Sequence, residues 1–336
     1  MQHHLIWEAK AILPYLIVNH AILSRAGEDS FAVLTREDGS GMVCVADGCG
    51  GLGSRRYPLL KGHTGAYAAS RLAARTMKQW ATKGLSCPVS AMEGVRLQLD
   101  LQLGFEKQFQ RFAQKNQMEA GRIVGSMQRI LPTTLCGLLH GLNGTQADGC
   151  FLWAGDSRGC VLDAQGLHQY TQDDVKSPLD VLDRLYGDSA LSLCLSADHP
   201  IRLHLRRFSV ETPCLLIALT DGGYSCLPTP MELEMMLLST MDAASDMASW
   251  QRKLGSALRK LSHDDATVVI APIGFDSFDR MKAFYSQRKQ HLEEHFIRPV
   301  RLSGCDRETA RRCWQEYRPQ YERWEVTGNG TDDWRL

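Results

Sequence analysis

Val43-Cys-Val-Ala-Asp47-Gly48-Cys-Gly-Gly51 is a short apolar run that ends abruptly in an acid and three glycines. Glycine lets the backbone turn sharply and lets a ligand come close. An Asp at the end of a buried strand is poorly solvated and needs a metal ion, a base or a ring of N–H groups. Four more places share the pattern of an acid at a strand end beside Gly or another acid: Glu28-Asp29, Asp156, Asp221-Gly222 and Asp264-Asp265. Taken singly, each reads as a turn, because Asp and Gly are turn residues. Together they offer many hard oxygen donors, which suit Mg²⁺ or Mn²⁺ rather than zinc. Two such ions about 3.5–4 Å apart activate a bridging water and neutralise charge on a phosphoryl group.

The surrounding elements must bring these acids together. Phe31–Thr35 and Met42–Ala46 read as a hairpin closed by Arg36-Glu-Asp-Gly-Ser-Gly41. In an antiparallel pair the two outer ends lie side by side, so positions 28, 29 and 47 are expected to meet. Further strands are expected at Thr133–His140 and Cys150–Ala154, joined by a turn over Gly141–Gly149. Others follow at Gly159–Asp163, Leu191–Leu195, Leu203–Val210, Cys214–Leu219 and Ala266–Pro272. Helices are expected at Gly62–Lys83, through much of Ala91–Leu131, and at Asp173–Tyr186, Met231–Leu238 and Ala244–Leu261. Val95, Leu97, Leu99, Leu101 and Leu103 alternate with the strand period. The Glu, Gln and Lys content that follows favours helix there. Leu52–Lys61 reads as a basic loop.

The chain has 336 residues, 44% hydrophobic and 23% charged, enough to bury roughly three quarters of its unfolded surface. Lys+Arg and Asp+Glu both count 38, so no basic excess marks a nucleic-acid binder. Eleven cysteines, without CxxC spacing, read as reduced thiols in a cytoplasmic setting. The apolar run at Ala11–Leu23 is interrupted by Pro14, Asn19 and His20, and is too short to span a membrane. No Ser-His-Asp elbow and no Gly-Lys-Ser/Thr phosphate loop is present, which argues against serine hydrolases and nucleoside triphosphatases.

The motifs, in order, are Gly27-Glu28-Asp29-Ser30, Ala46-Asp47-Gly48-Cys49-Gly50-Gly51, Pro132-Thr133-Thr134-Leu135, Ala154-Gly155-Asp156-Ser157-Arg158, Leu219-Thr220-Asp221-Gly222-Gly223 and Asp264-Asp265-Ala266-Thr267-Val268-Val269. With this set the chain resembles the metal-dependent (PPM, or type 2C) Ser/Thr protein phosphatases, as a divergent bacterial-type member. The resemblance implies an α+β fold, a four-layer αββα sandwich of two antiparallel sheets flanked by helices. Residues 1–274 would form the catalytic domain, and 275–336 a C-terminal helical extension. It further implies hydrolysis of phosphoserine and phosphothreonine in a phosphoprotein substrate by a metal-activated water, with two Mg²⁺ or Mn²⁺ ions and a weaker third. Asp47 would bridge both metals, the Gly48 carbonyl and Glu28 would serve one, and Asp221 and Asp264 the other. Asp156 would help hold the third ion beside Asp221, and Asp29 would position the water. The alternative is a pseudophosphatase, with the same fold used as a binding or scaffold module.

Three departures from the family pattern bear on substrate recognition. The phosphate-binding Arg is expected four residues before the Glu, where Ser24 stands; Arg25, one residue later, is the candidate for that role. Arg55, Arg56 and Lys61 in the basic loop are the other cations offered for phosphate or substrate. The segment Tyr170-Thr-Gln-Asp173-Asp174 lies close to Asp221 in sequence, so the family's flap region is expected to be short. His63 is a lesser candidate for the leaving-group acid, His199 reads as a turn residue, and Cys49 as packed.

Phe278, Met281, Tyr285, Leu292 and Phe296 share one helical face, and Ala310, Trp314, Tyr317, Tyr321 and Trp324 another, with Pro319 expected to break or kink the second. Such faces must be covered. Docking onto the chain's own body is the first expectation, and a separate protein partner the second.

Overall fold

The computed structural model describes residues 13–24, 26–84, 93–119, 129–176 and 190–323. Among these residues, ten strands form two antiparallel five-stranded sheets. One sheet contains β2 (Ser30–Thr35), β3 (Gly41–Ala46), β4 (Leu135–Asn143), β5 (Gln146–Ala154) and β8 (His204–Glu211), in the order β2-β3-β4-β5-β8. The other contains β1 (Leu16–His20), β6 (Arg158–Asp163), β7 (Gly166–Gln169), β9 (Cys214–Leu219) and β10 (Ala266–Ile273), in the order β1-β10-β9-β6-β7.

The unbroken apolar strands follow from the layering. In β9, Cys214, Leu216 and Ala218 enter the core between the sheets, while Leu215, Ile217 and Leu219 enter the core under the outer helices. In β3, Val43 and Val45 face the other sheet, and Met42, Cys44 and Ala46 face helices. With both sheet faces covered, every position is apolar rather than every second one.

Helices α2 (Gly65–Gly84) and α3 (Gly94–Lys115) cover the β3-containing sheet. The ambiguous leucine stretch is helical. Leu97, Leu101, Phe105, Phe109 and Ala113 are buried at four-residue spacing, whereas Val95, Leu99 and Leu103 are exposed. The other sheet is covered by α4 (Pro230–Asp242), α5 (Met247–Leu261), α6 (Phe278–Leu292) and α8 (Arg307–Tyr321). A π-helical turn at Glu293–Ile297 and α7 (Arg298–Leu302) link α6 to α8. Each of the four covering helices is capped, by Thr229, Asp246, Ser277 and Asp306, whose side chains accept from a backbone N–H in the first turn.

Several expectations are corrected. The β4–β5 turn is shorter than Gly141–Gly149, because Gly144 at φ +62° closes it and both strands run on. Leu191–Leu195 forms only isolated bridges, Thr133 to Leu195 and Val175 to Leu191. Of the helix expected at Asp173–Tyr186, residues 173–176 are not helical and the rest lies outside the described residues. A short helix, α1 (Gly50–Gly53), runs into the start of the basic loop, which holds a 3-10 turn at Pro58–Leu60. Pro319 does not stop α8, which runs on to Tyr321.

The tail's apolar faces are covered by the chain itself. Phe278, Met281, Tyr285, Trp314, Tyr317 and Tyr321 lie in one core with β6, β9, α4 and α5; Trp324 lies outside the described residues. The tyrosine hydroxyls among them are satisfied there too. Tyr285 donates to the Leu162 carbonyl at 2.7 Å, and Tyr321 to Oε1 of Gln169 at 2.7 Å. The buried carboxylate of Glu234 accepts two bonds from Arg288, at 2.6 and 2.8 Å, and a third from Tyr317 at 2.6 Å. Among the described residues, these faces are therefore covered by the chain's own body, as first expected. No helix among the described residues is long and apolar enough to cross a membrane.

Candidate active site

Register sets the first contact. Ser30 pairs with Ala46 at the open end of the β2–β3 hairpin, so the next residues outward are Asp29 and Asp47, close enough for the charge of one to act on the other. The chain leaves β3 through a tight passage. Gly48 donates its N–H to the Glu28 carbonyl at 3.2 Å, and a Cβ at Gly48 would stand 2.3 Å from the Ala66 carbonyl oxygen. Only glycine fits there. The Asp47 carbonyl accepts from the Thr133 hydroxyl at 2.7 Å and the Thr134 N–H at 2.8 Å. The Pro-Thr-Thr motif thus holds the end of β3 from the neighbouring strand.

The second strand-end acid is built alike. Asp221 follows β9 and accepts from the Gly222 N–H at 2.7 Å. A Cβ at Gly222 would stand 1.9 Å from the Asp265 carbonyl oxygen. Thr220 donates its hydroxyl to Oδ2 of Asp29 at 2.7 Å and accepts the Thr267 N–H at 2.9 Å. One hydroxyl thereby ties β2, β9 and β10 together beneath the acids.

The acids act on one another. Burial pushes the Asp47 carboxyl well above the usual range, and the charges of Asp221, Asp29, Asp156 and Asp264 push it further. Burial likewise raises Asp221, with Asp156, Asp264 and Asp29 adding to it. Asp29 is 5% exposed, and burial raises it to about 6 despite the Thr220 bond. Burial also raises Glu28, opposed by the Thr64 hydroxyl that donates to Oε1 and reinforced by Asp265 and Asp264. Asp264 stands exposed at the rim. Buried like charges of this kind invite a cation or a proton. Oδ1 of Asp29 is buried without a hydrogen-bond partner. That atom and the all-oxygen donor set fit a hard divalent cation. In this conformation no three His, Cys, Asp or Glu side chains among the described residues close on a single ion position.

Arg25 lies outside the described residues. His63 stacks on Tyr67 with centroids 3.8 Å apart. Cys49 is buried, and its thiol hydrogen-bonds that of Cys194. Asp265, whose place in the Asp264-Asp265 motif does not by itself define a role, is a support of the site. It accepts the N–H of Glu28 at 2.5 Å and of Ile22 at 2.8 Å, fixing the segment that carries Glu28. Arg71 holds the same segment through the Gly27 carbonyl at 3.0 Å, while its guanidinium lies over the Tyr67 ring, 3.4 Å from the centroid. No local signal marks either residue, because the bonds cross 237 and 44 positions of chain.

Solved structures share this architecture. The Mycobacterium tuberculosis serine/threonine phosphatase PstP/Ppp aligns with a TM-score of 0.55 at 20% identity, over 79% of this chain and 100% of its own. The PstP catalytic domain in complex with two manganese ions gives 0.54 at 18%, over 78% and 98%. Serine/threonine phosphatase Stp1 from Staphylococcus aureus gives 0.57 at 15%, over 80% and 98%. No family model matches the chain, and no curated protein matches it. The chain has the α+β fold of the type 2C Ser/Thr phosphatases, so the resemblance carried by its motifs extends to its architecture.

Proposed function

We propose that this chain is a Mg²⁺- or Mn²⁺-dependent protein phosphatase acting on phosphoserine or phosphothreonine. The observation that carries the reading is the mutual electrostatic action of Asp29, Asp47, Asp156, Asp221 and Asp264, drawn from five separate strand ends on this fold. Asp47 and the Gly48 carbonyl, with Glu28, would hold one ion, Asp47 with Asp221 and Asp264 a second, and Asp156 a weaker third beside Asp221. When bound, such ions neutralise phosphoryl charge and make water a better nucleophile. The chain's own part is positional. Thr220 fixes one Asp29 oxygen, leaving buried Oδ1 to accept from the attacking water and hold it in line with the P–O bond. Water adds its oxygen to phosphorus, the seryl or threonyl oxygen leaves with a proton, and inorganic phosphate is released. The free thiols support a reducing, cytoplasmic setting. We keep 1–274 as the catalytic unit and 275–336 as its helical extension.

A binding module on the same fold has one observation in its favour, the lack of a converged group of three ligands among the described residues. Turnover of p-nitrophenyl phosphate and of a phosphopeptide panel, with Mn²⁺, Mg²⁺ or EDTA, separates the two. Metal-dependent release of phosphate is the expected result. None with either metal would leave the binding module.

A further inference from the structure

The loop between α1 and α2 is a tight structure. The Tyr57 N–H donates to the His63 carbonyl at 3.1 Å and the Gly65 N–H to the Arg55 carbonyl at 3.0 Å. These bonds flank Arg56 and Thr64, which form an antiparallel bridge. Residues flanked in this way are a non-hydrogen-bonded pair, whose side chains lie on one face and approach closely. Thr64 uses its hydroxyl to bond Glu28. Arg56 therefore stands on the face of the loop that meets the acidic cluster, and its charge is felt by Glu28. Arg55 faces the other way. It donates to the Glu119 carbonyl at 2.9 Å, and its guanidinium lies 5.3 Å from the Tyr57 ring centroid.

Arg56 keeps donors in hand. It is exposed, and its bond to the Gly62 carbonyl at 2.9 Å occupies one of the five N–H donors of a guanidinium. A planar fork with free donors beside a carboxylate cluster matches a tetrahedral dianion, which acids alone would repel. We propose that Arg56 is the substrate-phosphate contact of this site, taking the phosphate oxygens of a phosphomonoester at the Glu28 side of the cluster. This rests on the phosphatase reading above and adds the residue that recognises the substrate's charge.

The test uses the full chain with Mn²⁺ and measures inorganic phosphate binding by calorimetry beside p-nitrophenyl phosphate kinetics. Arg56→Ala should weaken phosphate binding and raise KM by about tenfold or more, with its melting temperature unchanged. Arg56→Lys should restore part of the affinity, since it keeps charge without the fork. Arg55→Ala should bind phosphate as wild type does. Wild-type phosphate affinity in Arg56→Ala, or no phosphate binding by the wild type, overturns the proposal. Failures remain distinguishable because binding needs no turnover. An active wild type with an unaffected Arg56→Ala removes Arg56 alone. An inactive wild type whose phosphate affinity still depends on Arg56 removes the phosphatase reading and leaves the contact.

Discussion

The hydroxyl of Thr220 lies 2.7 Å from Oδ2 of Asp29, a bond that spans 191 positions of chain. It is the partner that keeps one oxygen of a buried acid satisfied while the other has none. Thr220→Val keeps the shape and deletes the donor. We expect a loss of about 1–3 kcal/mol of stability, read from urea melts, and a lower kcat at saturating Mn²⁺. Unchanged kcat would show that Asp29 needs no fixed orientation.

Asp47 sits at the centre of the repulsion, acted on by four other acids. Asp47→Asn should abolish metal-dependent turnover. In EDTA it should melt no lower than wild type, because removing one of several buried like charges relieves the cluster. Thermal melts with EDTA and with Mn²⁺ check both halves. Near-normal turnover would refute the bridging role.

A second buried titratable group lies far from the acids. His140 in β4 bonds Tyr15 through Nε2 at 2.8 Å, and burial lowers its pKa from 6.5 to about 4. Between those values the unfolded chain takes up a proton that the folded chain refuses. The contribution is therefore present above pH 6.5 and lost as pH falls toward 4, on the order of 3 kcal/mol. Urea melts at pH 7 and pH 4.5 should differ less in His140→Gln than in wild type.

Glu234 holds the tail through Arg288 and Tyr317. Glu234→Leu leaves a buried guanidinium unpaired and should cost about 3–5 kcal/mol. Adding Arg288→Met should recover much of that loss, measured as a double-mutant cycle in urea. A chain ending at Gly274 should melt several degrees lower or lose solubility, since it removes the α6 and α8 part of the core over β6 and β9.

Much of this architecture was legible in the sequence, for a definite reason. Strands such as Cys214–Leu219 are buried on both faces and so announce themselves as apolar runs, and the acids follow at once. β7 gave no such signal, because its buried residues His168 and Gln169 are polar. They are satisfied by Asp163, the Gln320 carbonyl and Tyr321, partners that no local pattern predicts. The acids of the cluster were visible as strand-end residues. The supporting roles of Thr64, Thr220 and Asp265 were not, since each acts across a long stretch of chain. Arg56 was visible as a loop cation, but only the Arg56–Thr64 bridge shows which way it faces.

The pairing of β1 with β10 has a consequence for how the chain is made. Leu16 pairs with Ile270 and His20 with Ala266, so β1 waits for a partner made far later in the chain. β9, which lies between β10 and β6, has one unpaired edge throughout that wait. Open edges and late, distant contacts slow folding and favour sticking to other chains. Even after β10 pairs, with α4 and α5 already made, the core over β6 and β9 stays incomplete until the side chains of α6 and α8 are synthesised. Chains stalled before Tyr321 should therefore be the species that engage chaperones during translation, and release should follow emergence of α8.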